Sequence, residues 1–405
     1  MSGRSSLAGR LALVASLVVA LALSTRAALG FVLAPVSPPL ALRVAPTSAV
    51  ARARAASVVI YTAQDRAGLI RGRQLATAAL ARSPTQAIAL RDWGLVEVQL
   101  GNARRGERAI ALAGRLTLRD YPTHAWLYDA AISRGDRIAA AREADIVLRQ
   151  DTANFATFLP ILATASTDAA LRAAVVARLG LNPLWRDSYL LALASTAPLA
   201  AAWPVLEQAH GWSPPPAPQV YAPYFRRGAE TLPAARLLAQ WRRLAPPGNR
   251  DALLRNANFD AAEMPPPFGW QLYRPEGGDS AEVAMRPDRA SRALHLSMVS
   301  AYAMLAAQGM ALSPGRFRFS ASVLSEGTSD GAAYRVRIVC GLDDRGVALA
   351  DQDLPGTAGA WRRFALEFEV PPGCDGQRLW FGGRDGSVLE RGGYWLDDLA
   401  VSPAG

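Results

Sequence analysis

The side chains that most often carry out catalysis are few and scattered in this chain. Its three histidines, His124, His210 and His295, stand far apart; no pair has the spacing of metal ligands, and none accompanies a serine in a nucleophile-elbow motif. All 44 basic residues are arginine. Without lysine there can be no phosphate-loop lysine, no Schiff base and no Ser-x-x-Lys acylation site. We therefore expect a non-catalytic protein that requires no cofactor.

Acidic residues occur close together at Asp343-Asp344, at Asp351 and Asp353, and at Asp397-Asp398. A glycoside hydrolase needs two carboxyl groups at a defined separation across the sugar, and a sequence cannot show that separation. Turn and rim positions are the simpler interpretation of these acids. A glycan-active hydrolase is therefore the least favoured function.

Composition bounds the number of domains and divides the charge between two halves. At 405 residues with 51% hydrophobic and 19% charged residues, the chain is long enough for two or three domains with hydrophobic cores. Residues 1–250 contain 29 arginines against 14 acidic residues, a net charge of +15, whereas residues 251–405 contain 15 against 20, a net charge of −5. The basic half could face nucleic acid, anionic lipid or an acidic polysaccharide, and the compartment decides among them.

The N-terminus indicates the compartment. Arg4 and Arg10 precede Leu11–Leu23, a run of thirteen residues with a single serine, and apolar character resumes after Arg26. The run is shorter than the ~20 residues of a membrane span, as in a signal peptide, but the cleavage site that follows is poor. We predict a signal-anchor or signal peptide over residues 1–30, with the anchor preferred. The chain would then be a single-pass inner-membrane protein with its bulk in the periplasm, and nucleic acid would not be a partner.

Proline-rich stretches mark two further boundaries. Four prolines among small residues predict a spacer without regular structure over residues 31–56. Pro246-Pro247-Gly248 ends the last amphipathic helix before strand-like patterns begin. We therefore predict a helical domain over residues 57–250 and a β domain over residues 251–405.

Residues 82–150 show an internal repeat. Arg82-Ser83-Pro84-Thr85 and Arg119-Asp120-Tyr121-Pro122-Thr123 each precede an amphipathic stretch, and the glycines that end these stretches, Gly101 and Gly135, stand 34 residues apart. The sequence resembles tetratricopeptide repeats in three features: this period, a tryptophan in the first helix (Trp93) and small residues in the second helix. Since one helical hairpin cannot bury its apolar face alone, the resemblance implies a stack of helices to about residue 250, which would bind a protein partner.

Alternation of apolar and polar residues dominates the last third of the chain. It occurs at 294–298, 317–323, 334–340 and 364–370, and Tyr394–Val401 has the pattern of a strand covered on both faces. Turn sequences such as Pro371-Pro372-Gly373 separate the runs. The predicted fold class is α plus β: an N-terminal membrane or signal helix, a tetratricopeptide-like helical array, and a C-terminal antiparallel β-sandwich of the jelly-roll type.

Four motifs of this sandwich recur together in a known family. They are Asn256-Ala257-Asn258-Phe259, Gln308 followed by Pro314-Gly315, Trp361 before a long strand, and Trp395-Leu396-Asp397-Asp398. In this order they resemble carbohydrate-binding modules of the galactose-binding-like jelly-roll class. The resemblance covers roughly residues 251–405 and implies a polysaccharide partner, without naming the glycan.

The resemblance also suggests which residues could bind a sugar. Sugars offer C–H surfaces that stack on exposed aromatic rings, and hydroxyls that pair with planar acids and amides. We favour Trp380, Tyr273 and Tyr302 as ligand-binding residues, because Trp270 and Trp395 match family positions that pack the core.

A structural calcium ion is a further implication of the resemblance. Related jelly rolls often hold Ca²⁺ near the first and last strands, so Asn258, Asp260, Asp397 and Asp398 are candidate oxygen ligands. Roles in turns and at strand edges are the alternative for the same residues.

The only two cysteines are Cys340 and Cys374, both in the predicted β domain. An exported chain meets oxidising conditions, in which an even pair often forms a bridge. Two cysteines of a sandwich can also lie on different sheets. The sequence leaves the bridge open.

These observations predict a non-catalytic, membrane-tethered envelope protein of a bacterium. Its helical repeats would bind a protein partner and its β-sandwich a glycan, in a role accessory to exopolysaccharide assembly or export. The alternative is a structural or protein-interaction scaffold whose jelly roll no longer binds sugar.

Overall fold

The structure is a computed structural model that describes most of the chain. The described residues are 7–245, 252–261, 264–274, 279–288, 291–297, 304–326, 334–343, 346–383 and 393–404, with side chains from residue 11 onward. Contacts group the chain into two compact units, Met1–Phe158 with Asp168–Pro183, and Leu159–Thr167 with Leu184–Gly405. The domain limits drawn from the sequence at 30, 56 and 250 divide the chain by type of secondary structure, and they stay predictions.

The first helix, α1 (Leu7–Leu33), is the most apolar element of the first unit. Residues Leu11–Leu33 are long and apolar enough to cross a membrane, and this segment is not buried. Twenty-three helical residues extend about 35 Å, somewhat more than a hydrocarbon core of about 30 Å. The helix runs through Arg26 without a break. It could be a membrane span or a signal peptide.

The segment 31–56 contains helices where the sequence predicted none. These are α2 (Pro38–Val44) and α3 (Ala49–Thr62). Pro38 and Pro39 stand in the first turn of α2, where a missing N–H costs no hydrogen bond. The Ser48 hydroxyl accepts from the Ala51 N–H and caps α3. The prolines therefore start helices here instead of preventing them.

Helices arranged in pairs build the rest of the first unit. They are α4 (Arg66–Leu80), α5 (Ala87–Gln99), α6 (Ala103–Leu116), α7 (Tyr121–Arg134), α8 (Arg137–Gln150), α9 (Phe155–Ala165), whose last residues belong to the second unit, and α10 (Ala169–Leu179). Gly101 and Gly135 end α5 and α7 with φ of 94° and 77°, a conformation that favours glycine. The helical pairs are consistent with the predicted repeats, and membership of the tetratricopeptide family stays a prediction.

The second unit combines four more helices with the strands. The helices are α11 (Arg186–Thr196), α12 (Leu199–His210), α13 (Ala222–Thr231) and α14 (Ala234–Leu244). Helix α14 packs directly on the β region: the Trp241 indole N–H donates to the Pro265 carbonyl at 2.8 Å, and the Ala234 N–H donates to Asp375 at 3.0 Å. The last helix is therefore part of the same compact body as the sheets.

In the described part of the chain, ten strands form two antiparallel sheets, as predicted. They are β1 (Gln271–Leu272), β2 (Ser280–Met285), β3 (Arg292–Ser297), β4 (Met304–Met310), β5 (Gly315–Ser325), β6 (Tyr334–Cys340), β7 (Ala348–Asp353), β8 (Arg362–Val370), β9 (Gln377–Gly383) and β10 (Gly393–Pro403). The first sheet has the order β1-β4-β9-β6-β7, and the second has the order β2-β3-β10-β5-β8. Their inner faces enclose one core that includes Leu294, Phe319, Val336, Phe381 and Leu396. The predicted α plus β multidomain fold is confirmed.

The motifs that resemble carbohydrate-binding modules lie at turns and at a bulge of this sandwich. Asn256 has a φ of 45°, and its side-chain amide both donates to and accepts from the backbone of Ala261. The Gln308 amide pairs with the backbone N–H and C=O of Arg255. Asp398 has a φ of 51° where the register of β10 shifts. These polar residues satisfy backbone groups at tight turns and at a bulge.

The two cysteines are joined in a disulfide. Cys340 at the end of β6 and Cys374 after the 371–373 turn have Cα atoms 5.5 Å apart. The bridge ties the first sheet to the loop before β9 and decides the question that the sequence left open.

Candidate functional site

The outer face of the first sheet presents polar and aromatic side chains. On β9, Leu379 and Phe381 enter the core, so Arg378 and Trp380 point to the other face. On β6, Val336 and Ile338 are in the core, and the intervening arginines face outward in the same way. We call this surface the outer face.

One row of residues crosses all five strands of the outer face. The strand registers place Gln271, Ala307, Trp380, Arg337 and Asp351 side by side, from β1 to β7. With about 4.8 Å between neighbouring strands, the row is about 19 Å long. The row thus contains an amide, a small residue, an indole ring, a guanidinium and a carboxylate in sequence. These are the groups that stack on sugar rings and bond to hydroxyls.

The aromatic residues of this face are held by guanidinium groups. The Arg337 Cζ atom lies 6.0 Å from the centroid of the half-buried Trp380 ring. Arg378 donates to the Tyr273 hydroxyl at 2.5 Å and to the Gln271 side-chain oxygen at 3.2 Å. Such contacts restrict the rings before a ligand arrives, which lowers the entropic cost of binding.

Two carboxylates at the far edge complete the charge pattern. Arg335 lies 3.1 Å from Asp351 and 3.7 Å from Asp353, and Arg337 lies 3.5 Å from Asp351. All four side chains are partly accessible, so these ion pairs contribute little to stability.

The predicted ligand-binding residues are only partly brought together. Trp380 and Tyr273 both lie on the outer face and share Arg378 and the Gln271–Ala307 positions as neighbours. Tyr302 lies outside the described residues. Their role in binding stays a prediction.

Sequence reasoning missed the polar partners of Trp380. Arg337, Asp351, Arg378 and Gln271 come from four strands, and only the strand registers bring them together. A weak signal was present in β6 and β7, where Arg335 and Arg337, and Asp351 and Asp353, alternate with other residues as expected for one solvated face.

The candidate calcium ligands have hydrogen-bond partners of their own. Asp397 is buried and accepts from Arg286 and Ser291, both at 2.9 Å, and Asp398 accepts from Ser322 at 2.8 Å. Asn258 donates to Asp260 at 2.8 Å in an exposed loop. The described part of the chain contains no group of three or more His, Cys, Asp or Glu side chains that could hold a metal. Of the four candidates, Asp397 is closely paired with a guanidinium, and the calcium ion stays a prediction from resemblance.

The first unit contains a groove of its own. A cavity of about 930 Å³ is bordered by α6, α7 and α8, and its lining includes exposed Arg108, Arg115, Arg134 and Arg142 with the exposed Leu112. Asp136 and Glu143 also line it, so the surface is basic in net charge and partly apolar. It could receive an acidic peptide segment that carries apolar side chains.

Beneath this groove lies a buried ion pair. His124 Nδ1 is 2.6 Å from Glu143, and its Nε2 bonds to the Thr117 carbonyl at 2.9 Å. Burial opposes the charged ring, but the hydrogen bonds to Glu143 and Thr117 prevail and raise the pKa of His124. Burial likewise opposes ionisation of Glu143, and the bonds from His124 and Arg142 prevail and lower its pKa. His124 is therefore a structural residue and not a free base.

Comparison with known proteins adds likenesses of fold. No protein-family model and no curated protein sequence matches the chain. The chain is similar to a solved CBM4 structure, with 17% identity over 37% of this chain and 99% of that chain and a TM-score of 0.30. It is also similar to TmCBM61 in complex with β-1,4-galactotriose, with 12% identity over 38% and 99% of the two chains and a TM-score of 0.28. A third likeness is to the CBM22-1 xylan-binding domain from Paenibacillus barcinonensis Xyn10C, with 13% identity over 36% and 91% and a TM-score of 0.28.

Proposed function

We propose that this protein is a non-catalytic glycan-binding protein whose β-sandwich binds a polysaccharide on the outer face. The observation that carries the proposal is the row Gln271–Ala307–Trp380–Arg337–Asp351, which spans the first sheet. The partly accessible Trp380 indole beside the Arg337 guanidinium offers a stacking platform, whereas the neighbouring Ala307 is buried. The flanking amide and carboxylate can fix the orientation of sugar hydroxyls.

We propose that the protein is tethered to the inner membrane of a bacterium and that its bulk lies in the periplasm. Helix α1 supports this placement because Leu11–Leu33 is long and apolar enough to span a bilayer. The Cys340–Cys374 disulfide supports it as well, since such bonds persist in oxidising compartments. A glycan-binding protein at this place would be accessory to exopolysaccharide assembly or export.

The helical groove favours a protein as a second partner. Its four exposed arginines and its apolar border complement an acidic, partly apolar segment. The protein would then connect a partner protein to a glycan. Its binding through the groove should weaken as salt rises, because exposed charges are screened over about 8 Å at physiological ionic strength.

The test is a glycan array with the full-length chain in detergent, followed by titration calorimetry of the best oligosaccharide against variants. Trp380→Ala should weaken binding at least about tenfold, since buried aromatic anchors typically contribute 2 kcal/mol or more and 1.4 kcal/mol is tenfold. Tyr61→Ala is the matched control, because it removes an aromatic side chain that is 59% exposed in the first unit. Unchanged affinity of Trp380→Ala contradicts the site, and an array without any bound glycan favours the scaffold alternative.

A further inference from the structure

A second concave site lies away from the row on the outer face. A cavity of about 390 Å³ borders β1 and β2, the edge strands of the two sheets. Its lining is drawn from α14, the loop before β1 and the first four strands, and it includes Trp241, Phe259, Trp270, Arg274 and Arg292. Its volume lies in the range of small-molecule sites.

Arg255 lines this cavity from the loop before β1. The residue is 2% exposed, and its guanidinium lies 5.4 Å from the Trp241 ring centroid and 5.6 Å from that of Phe268. The Gln308 amide pairs with its backbone on both sides and holds the residue in place. The charged group is therefore held against two neighbouring aromatic rings.

Among the described residues, the Arg255 guanidinium has no anionic partner. Its Nε and Nη1 atoms make no hydrogen bond to any described residue. Burial, and then the charge of nearby Arg242, lower the pKa of Arg255 to about 10. A buried charge costs several kcal/mol unless it is paired, and removing it from water without compensation is rare in folded proteins.

Two further arginines add positive charge to the lining of the cavity. Arg274 and Arg292 are exposed side chains of the lining, and the described lining contains no aspartate or glutamate. Three arginines thus line a space that aromatic and aliphatic side chains also border. The site is shaped for an anion with an apolar or planar body.

We propose that this cavity is a second ligand site, which binds the carboxylate of a small acidic molecule through Arg255. A guanidinium matches the two oxygens of a carboxylate in a planar fork. A single negative charge balances the one buried cation, whereas a doubly charged phosphate gives up more hydration on entering the site. The carboxylate can come from a uronic acid residue of a glycan or from a free organic acid. The inference does not depend on glycan binding by the outer face.

The test is titration calorimetry of the full-length chain in detergent with four probes at low and high salt: D-glucuronate, D-glucose, succinate and inorganic phosphate. We expect glucuronate to bind and glucose not to bind. Succinate binding as tightly as glucuronate identifies a free organic acid as the source, and weaker succinate binding identifies the sugar acid; both support the carboxylate site. Absence of binding by both carboxylates, or tighter binding of phosphate than of either, overturns the proposal.

Variants connect the binding to the cavity. Arg255→Met keeps side-chain length and apolar contact with the rings and should weaken glucuronate binding more than tenfold. Arg316→Met, on β5, is the matched control because its side chain is 67% exposed and lies outside the cavity lining, and it should bind as the wild type does. If Arg255→Met does not fold, glucuronate binding is measured with a double variant of two exposed residues, Arg274→Gln and Arg292→Gln. Its affinity should also be weaker than that of the wild type. Folded variants at these positions with unchanged affinity overturn the proposal.

Discussion

Two arginines, one in each unit, are buried to the same extent in opposite surroundings. Arg91 on α5 is 3% exposed and lies 2.8 Å from Asp92 and 2.7 Å from Asp120. Burial opposes its charge, but these carboxylates prevail and raise the pKa of Arg91. Arg255 is 2% exposed, and the described part of the chain supplies it with aromatic rings but no carboxylate. Arg91 is therefore neutralised by carboxylates of its own chain. No described carboxylate neutralises Arg255, and the cavity beside it has room for an anionic ligand.

This difference is not a general property of the second unit. That unit pairs its buried charges elsewhere: Asp397, 1% exposed, lies 2.9 Å from Arg286, and Arg286 in turn lies 4.1 Å from the Trp361 ring centroid. Arg186, also buried, lies 2.9 Å from Asp187. Arg255 therefore departs from the pattern of its own unit. This contrast supports a ligand role, because a purely structural guanidinium would be expected to have a partner.

The largest effect should come from removing the buried arginine that is paired. Arg91→Met leaves Asp92 buried without its cation and should lower the free energy of unfolding by about 3 to 5 kcal/mol. In the absence of ligand, Arg255→Met should stay within about 1 kcal/mol of the wild type, because the lost cation–π contact is offset by the lost desolvation penalty. Both changes in the free energy of unfolding are measured by urea unfolding, with hydrogen exchange in peptides of each unit as the probe. The comparison fails if Arg255→Met is as destabilising as Arg91→Met.

A smaller and pH-dependent effect should follow from His124→Gln. The pKa of His124 is raised above 6.5, so its contribution to stability is complete below pH 6.5 and is lost as the pH rises through the folded pKa. The pKa of Glu143 is lowered from 4.5, so its contribution is complete above pH 4.5 and is lost as the pH falls through the folded pKa. The free energy of unfolding of the wild type should therefore exceed that of the variant most between about pH 4.5 and 6.5.

The expected difference in that window is about 1.5 to 3 kcal/mol, the usual range for a hydrogen bond to a charged group. Arg142, which lies 2.7 Å from Glu143, is kept in the variant and should limit the loss. Urea unfolding of both proteins at pH 5.5 and pH 9 checks the prediction. A difference that is larger at pH 9 than at pH 5.5 would show that the pair is not charged in the folded protein.

The sequence predicted the sandwich better than it predicted the sites on it. Phe317–Val323 and Phe364–Val370 alternate strictly because one face of each strand is buried, so their patterns predicted β5 and β8. The two-residue β1 is too short to show such a pattern, and β7 has none because no residue of it is fully buried. Proline-based reasoning failed for residues 31–56, because Pro38 and Pro39 occupy the first turn of a helix.

Sites that depend on long-range packing could not be predicted in this way. Trp380 was identified from its type and position, but its row with Arg337 and Asp351 depends on three strand registers. Arg255 stands beside a turn motif and has no distinguishing neighbour in the sequence. Its surroundings come from Trp241 on a helix and Arg292 on a distant strand. No local pattern contains that information.

The central claim is that a glycan binds across the outer face of the first sheet. Hydrogen exchange measured with and without a saturating oligosaccharide, chosen from the glycan array, tests it directly. We expect slower exchange in peptides that cover β6 (Tyr334–Cys340) and β9 (Gln377–Gly383), where Arg337 and Trp380 lie. Peptides of β5 and β8 in the second sheet should be unchanged. Protection confined to β5 and β8, or to the helices of the first unit, would contradict the account.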